Sequence, residues 1–283
     1  MGLLVLFAMV SSHGVWQWSS DSWVTWAVFS LLLDFVCYWA HRWSHELNIL
    51  WAGHVSHHQS EEYNLTTVLR QGAFQDINHW PIYLVRALPG CPVEVFILLL
   101  TFSKFYQFWI HTRLIGKFPM IEGLRNTPSA HRVHHGINDP YIDRNHGGTL
   151  MIWDRLFGTY IEEQEEVIFG VRNAFHARNP VTAHVDWLIT MWRDAVLSGH
   201  WQDRFRIWFK PTGWRPDHTR EIDPRPPFSS ARFRHFVPVF SGLQRQQGSF
   251  WLVLAIVCNS IMMLGVTFAR GQVSRAFSVS VTQ

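Results

Sequence analysis

Three dense histidine clusters constrain this chain more than any other feature. His41 and His45 form an H-x3-H pair, His54, His57 and His58 form H-x2-H-H, and His131, His134 and His135 repeat the second pattern. Residues three or four apart share one face of a helix, so each cluster can aim two or three imidazoles at one point. Neutral imidazole is the commonest metal-ligating side chain. Eight imidazoles exceed the four ligands of a tetrahedral zinc. They suit two nitrogen-loving ions, with iron the leading choice. The bland alternative is a chance grouping, and 17 histidines in 283 residues make two H-x2-H-H boxes an improbable accident.

The rest of the composition narrows the setting. Sixteen tryptophans, 21 phenylalanines and only 16% charged residues fit a membrane-embedded protein better than a soluble enzyme. A net charge of +3 does not suggest nucleic acid. Cys37, Cys91 and Cys258 are far apart and form no C-x-x-C pair, which argues for buried apolar thiols rather than disulfides or a cysteine metal site. Gly-rich phosphate loops and dinucleotide fingerprints are absent. Glu46 follows His45, but Ile49 stands where an H-E-x-x-H motif needs its second histidine.

Residues 23–40, 92–111 and 251–269 are apolar runs long enough to span a bilayer. Residues 3–10 are too short to span alone and read as the end of a membrane helix that begins outside this chain. Residues 78–91 are apolar around Arg86, and Pro89, Gly90 and Pro92 should make a hairpin with the run that follows. The first spanning run leads into His41 and the second ends on His111, which puts the metal site at the membrane surface. Gln107 lies one turn before His111, on the same helical face. Asp34, Tyr38, His41 and His45 form one stripe, and Asp34 reads as a carboxylate that orients a ligand imidazole, with plain helix packing as the alternative. Glu162–Glu166 reads as a solvated acidic face. Residues 203–245 are basic, which makes the histidine side cytoplasmic.

The expected fold is all-α, an integral-membrane helical bundle whose cytoplasmic helical cap carries the histidine-rich di-iron site. The expected organisation is a membrane-embedded catalytic domain at 1–170, a basic, proline-containing cytoplasmic extension at 171–250, and a membrane segment with its tail at 251–283.

The boxes HRWSH, HVSHH and HRVHH resemble those of the fatty acid hydroxylase and sterol desaturase superfamily of integral-membrane di-iron enzymes. Residues 45–71, 106–112 and 126–160 look like the alkylglycerol monooxygenase branch, and the likeness covers roughly residues 35–170. It implies a multi-pass non-haem di-iron enzyme of the endoplasmic reticulum or a bacterial inner membrane that uses O2 on a membrane lipid. In that branch the carbon next to an ether oxygen is hydroxylated, and the hemiacetal collapses to a fatty aldehyde and glycerol. The branch takes electrons from tetrahydrobiopterin, and Glu46 corresponds to a glutamate tied to that pterin. Other members use cytochrome b5 or ferredoxin-type donors.

His111 matches the isolated histidine of the superfamily and is expected to be a ninth ligand. Asp34, Glu46, Asp139 and Asp143 are candidates to accept the second ring N–H of a ligand, with loop or capping roles as the alternative for the last two. His146 departs from the pattern, standing where the family often has Tyr, and a supporting or packing role is expected. His13, His79, His176, His184, His200, His218 and His235 are expected to be structural. Two alternatives stay open: a desaturation or hydroxylation of sterols, carotenoids or fatty acyl chains, and a membrane metal-binding protein without turnover. The boxes alone do not separate the reactions, because function lives in the pocket rather than the fold.

Overall fold

The computed structural model describes residues 2–172, 180–225 and 228–229. Ten α-helices follow one another there: α1 Gly2–Ser12, α2 Trp23–Glu46, α3 Asn48–His58, α4 Gln75–Leu84, α5 Val93–Trp109, α6 Pro128–His134, α7 Ile152–Leu156, α8 Pro180–Leu197, α9 Trp201–Phe209 and α10 Asp217–Ile222. No strand occurs among the described residues, only isolated bridges such as Leu47 with Pro211. The third apolar run, at 251–269, lies outside the described residues, as do Cys258, His176, His235 and most of the basic stretch beyond Arg225.

Among the described residues one helix, α2, is long and apolar enough to cross a membrane. The second apolar run is helical but shorter, 17 residues in α5, and residues 3–10 fall within α1. These helices share a core in which Phe7 of α1, Phe29 and Leu33 of α2, and Val95, Phe96 and Leu99 of α5 are buried together. Phe7 stacks on Phe96 with ring centroids 4.0 Å apart. The outward faces are apolar as well: Val5, Met9, Val28, Leu31, Ile97 and Phe105 are all exposed.

The predicted break at Pro89, Gly90 and Pro92 forms a turn between α4 and α5. Gly90 takes φ +91°, and a Cβ there would meet the Trp16 carbonyl, so the turn requires glycine. The Trp18 indole donates to Pro89 O at 2.9 Å and ties the loop after α1 to this turn. Cys37 and Cys91 are buried free thiols, as expected.

The histidine-bearing elements are positioned by polar devices. Leu47 is extended (φ −116°), which ends α2 after His45 and starts α3 in a new direction. The Asn48 amide holds that corner, donating to Ile207 O at 2.8 Å and accepting from Gly213 N at 2.9 Å. α6 begins on a Thr127 cap, whose hydroxyl accepts from Ala130 N at 3.1 Å, with Pro128 at the first helical position. Arg132, between two box histidines, forms a fork on Glu163 (2.8 and 2.7 Å) and also donates to Thr112 O and Ile115 O. The acidic patch is therefore not simply a solvated face, since Glu163 anchors the third box.

Asp34 corrects an expectation. Its carboxylate touches no imidazole and instead accepts from Thr149 N (2.9 Å), Leu150 N (3.1 Å) and the Trp153 indole (3.0 Å). The physical reason is that the loop before α7 and the first turn of α7 lie against α2 with two backbone donors and one indole donor, which a single carboxylate satisfies together. Replacing Asp34 by Ala strands three donors, at about 1–3 kcal/mol for each group left unsatisfied. We expect Asp34→Ala to lower the melting temperature of the detergent-solubilised protein by several degrees or more, whereas Asp139→Ala, at an exposed ion pair, should change it little. Calorimetry of the two variants checks the contrast.

Candidate metal centre

Nine histidines converge from four parts of the chain and divide into two groups. His41, His45, His54, His58 and His134 each offer one nitrogen, and these atoms lie within 4.8 Å of one another. His57, His111, His131 and His135 do the same. Each H-x2-H-H box is thus split: His54 and His58 enter the first group and His57 the second, while His134 enters the first and His131 and His135 the second. The i, i+4 pairs His54/His58 and His131/His135 keep one face, and the middle histidine crosses to the other group. The groups adjoin, with the His58 and His135 rings stacked at 4.2 Å.

Backbone carbonyls fix the tautomers. Nδ1 of His41, His57, His111 and His134 lies 2.8, 3.1, 2.7 and 3.0 Å from the carbonyl oxygens of His146, Thr67, Gln107 and Arg144. A carbonyl only accepts, so each Nδ1 carries the proton and each Nε2 bears a bare lone pair. His54 Nδ1 likewise faces Gln75 Oε1 at 3.1 Å. The bare nitrogens then face one another: His41 Nε2 to His54 Nε2 is 3.2 Å, and His57 Nε2 to His111 Nε2 is 3.2 Å. No proton is left to lie between the members of either pair. His45, His134 and His135 add buried Nε2 atoms without any protein partner. Lone pairs converging at such distances in a desolvated interior repel unless a cation lies among them. The residues therefore fit metal ions, and an all-imidazole donor set suits first-row divalent ions.

Electrostatics point the same way. Burial, followed by the neighbouring histidines, holds His58, His134 and His135 well below the ordinary imidazole range, and burial does the same to His54, His57 and His131. Neutral imidazole is the ligating form.

The carboxylates divide. Asp143 stands 3.8 Å from His45 Nδ1, with a left-handed backbone (φ 54°). Asp139 does not reach an imidazole; its exposed side chain pairs with Arg172 at 2.5 Å, because its short 3-10 turn faces outward. Glu46 pairs with Arg42 at 2.7 Å, one helical turn back on α2. Gln107 supports His111 through its carbonyl rather than its side chain.

Asp154 was not singled out by the sequence reading. Fully buried, it accepts from His146 N and Gly147 N, both at 2.7 Å, and from Thr159 Oγ1 at 2.7 Å. It thereby holds the carbonyl that orients His41. The signal was present in the Trp-Asp-Arg-Leu-Phe-Gly-Thr run at 153–159, but a supporting carboxylate has no spacing rule of its own. His146 is fully buried beside His45, with ring centroids 5.2 Å apart, and lies outside both nitrogen groups. His79 meets Ser44 Oγ at 2.8 Å, a packing role.

The buried histidines generate a pH prediction for the metal-stripped protein. They are neutral when folded and protonate near pH 6.5 when unfolded. Stability is thus full above about pH 6.5 and falls as the pH drops towards the lower folded-state values. The melting temperature of chelated protein should decline steeply between about pH 6.5 and 5, and a flat profile would contradict buried neutral imidazoles.

Comparison with known proteins agrees with this geometry. Residues 26–159 match the family model described as fatty acid hydroxylase. The alkylglycerol monooxygenase of Xenopus tropicalis is 43% identical over 203 residues, covering 72% of this chain and 45% of the relative. That of Homo sapiens is 42% identical over 200 residues, covering 71% and 45%. The ornithine lipid hydroxylase OlsE of Rhizobium tropici is 29% identical over 138 residues, covering 46% and 40%. The chain thus spans less than half the length of these relatives. No solved structure matches it. Residues 26–159, which contain all nine converging histidines, are a domain of the fatty acid hydroxylase family.

Proposed function

We propose that the chain is a multi-pass membrane di-iron monooxygenase that uses O2 to hydroxylate a lipid, with the ether-bearing carbon of an alkylglycerol as its sharpest target. The observation that carries the reading is the pair of facing Nε2 lone-pair sets, five nitrogens in one group and four in the other. The names of the relatives at 40–43% identity supply the substrate class. When bound, the two irons supply the oxidising power that side chains lack for an unactivated C–H bond. The chain's own residues do the remainder: carbonyls hold the imidazole protons on Nδ1, α2 and α5 bring His41, His45 and His111 to the end of an apolar bundle, and burial keeps the site dry.

A bundle with apolar side chains on its outward faces supports a membrane setting. The positive-inside rule puts the histidines on the cytoplasmic side. A pterin of the tetrahydrobiopterin type is the proposed reductant, and cytochrome b5 or ferredoxin-type donors are the other routes. A second reading within the family is lipid hydroxylation or sterol desaturation without ether cleavage, favoured by the more distant ornithine lipid hydroxylase and sterol desaturase relatives.

The test is aldehyde release from an alkylglycerol by membranes containing the iron-loaded protein with oxygen and tetrahydrobiopterin. Aldehyde that depends on the pterin and falls by at least about a hundredfold in His134→Ala is the expected result. No aldehyde from protein holding about two irons sinks ether cleavage and moves the reading to another lipid oxidation.

A further inference from the structure

The nine histidines divide between the linings of two cavities. His41, His54, His57, His111 and His131 line a cavity of about 60 Å³, whose other walls include Cys37 of α2, Tyr83 of α4, and Lys104 and Gln107 of α5. The remaining four, His45, His58, His134 and His135, line a second cavity of about 280 Å³ on the side of α3 and α8. No histidine is shared between the two, and each cavity touches members of both nitrogen groups. A molecule in either cavity therefore meets both groups, through a different set of histidines in each case.

The two cavities differ in chemistry. The smaller one is walled by residues of α2, α4 and α5, and beyond its five converging histidines its polar walls are Gln71, Gln75, Gln107, Lys104, His79 and Tyr83, donors and acceptors suited to the hydroxylated end of a lipid. The larger one is walled by Trp51 and Trp187, whose rings meet edge to face with centroids 6.3 Å apart. Ile137, Ile142 and Val171 extend its apolar surface. Asp143 and Arg172 supply charge, and the buried Trp187 indole N–H has no partner within the protein. Its volume is near the lower end of the roughly 300–1,000 Å³ typical of small organic ligands. Flat aromatic walls with a carboxylate and a guanidinium at the edge suit a planar nitrogen heterocycle, which stacks through its faces and bonds through its ring N–H and carbonyl edge.

We propose that this second cavity seats the organic reductant, a reduced planar nitrogen heterocycle, while the lipid approaches through the smaller cavity. The assignment rests on the monooxygenase reading above. The balance requires such a donor: one oxygen atom of O2 enters the C–H bond to give C–OH, the other leaves as water, and the heterocycle gives up two electrons and two protons. Separate cavities let donor and lipid be bound at the same time, and they keep the reduced heterocycle from competing with the lipid for its cavity.

The experiment measures binding rather than turnover. The full-length, iron-loaded protein in lipid nanodiscs is titrated anaerobically with tetrahydrobiopterin and, separately, with an alkylglycerol. Ile142→Trp fills the larger cavity, Asp143→Asn removes its carboxylate, and Gln107→Ala alters the smaller one. Unchanged iron content and melting temperature establish that each variant is folded, and Asp143→Asn keeps the test open if the bulkier substitution fails. We expect the first two variants to weaken pterin binding at least about tenfold while alkylglycerol affinity stays within about twofold. Gln107→Ala should do the reverse, and saturating alkylglycerol should not displace the pterin. Pterin binding that ignores both larger-cavity variants, competes with the lipid, or is not saturable in the wild-type protein overturns the proposal. Independent binding of both molecules, with the expected variant pattern but without product once oxygen is admitted, would remove the monooxygenase reading and leave the cavity assignment standing.

Discussion

The centre of this structure depends on one repeated interaction, an imidazole N–H given to a backbone carbonyl. Each such bond decides where the ring proton resides and so where the opposite lone pair points. His41, His57, His111 and His134 are all set this way, by carbonyls from three separate stretches of chain. The consequence is a set of bare nitrogens about 3 Å apart that repel one another until cations join them. Folding therefore works against this centre, and metal binding offsets that cost.

That arrangement explains why buried carboxylates lie around the site without touching its imidazoles. Asp154 and Asp34 each bind two backbone N–H groups of the 146–150 stretch. They hold the loop whose His146 carbonyl orients His41. A backbone loop with several donors aimed at one spot needs an acceptor of matching charge and capacity, and a carboxylate is the compact answer. Arg132 and Glu163 do the equivalent for α6, so that His131 and His134 emerge from a helix anchored at its other face.

The convergence of these histidines was legible in the sequence because helical spacing converts directly into shared faces. His54 with His58 and His131 with His135 follow from i, i+4 geometry, and His111 was marked by its place at the end of an apolar run. How the boxes are shared between the two groups was not legible. It depends on the turn at Leu47 and on how α3 and α6 approach each other, which are tertiary facts without a local signature. The same limit explains Asp34. Its burial within an apolar helix marked it as special, but its partners lie 115 or more residues away in sequence. Asp139 shows the opposite error, since closeness to a box in sequence placed no ring within its reach. The helical class and the turn at Pro89–Pro92 were readable from apolar run lengths and turn residues, with α2 the one described helix that meets the length and hydropathy of a membrane span.

The central claim is that nine imidazoles hold two metal ions, divided five and four. The most direct measurement is anomalous scattering at the iron edge from crystals of the iron-loaded protein. The account predicts two separate peaks, one enclosed by His41, His45, His54, His58 and His134 and the other by His57, His111, His131 and His135. A single peak, or iron bound away from these nitrogens, would contradict it.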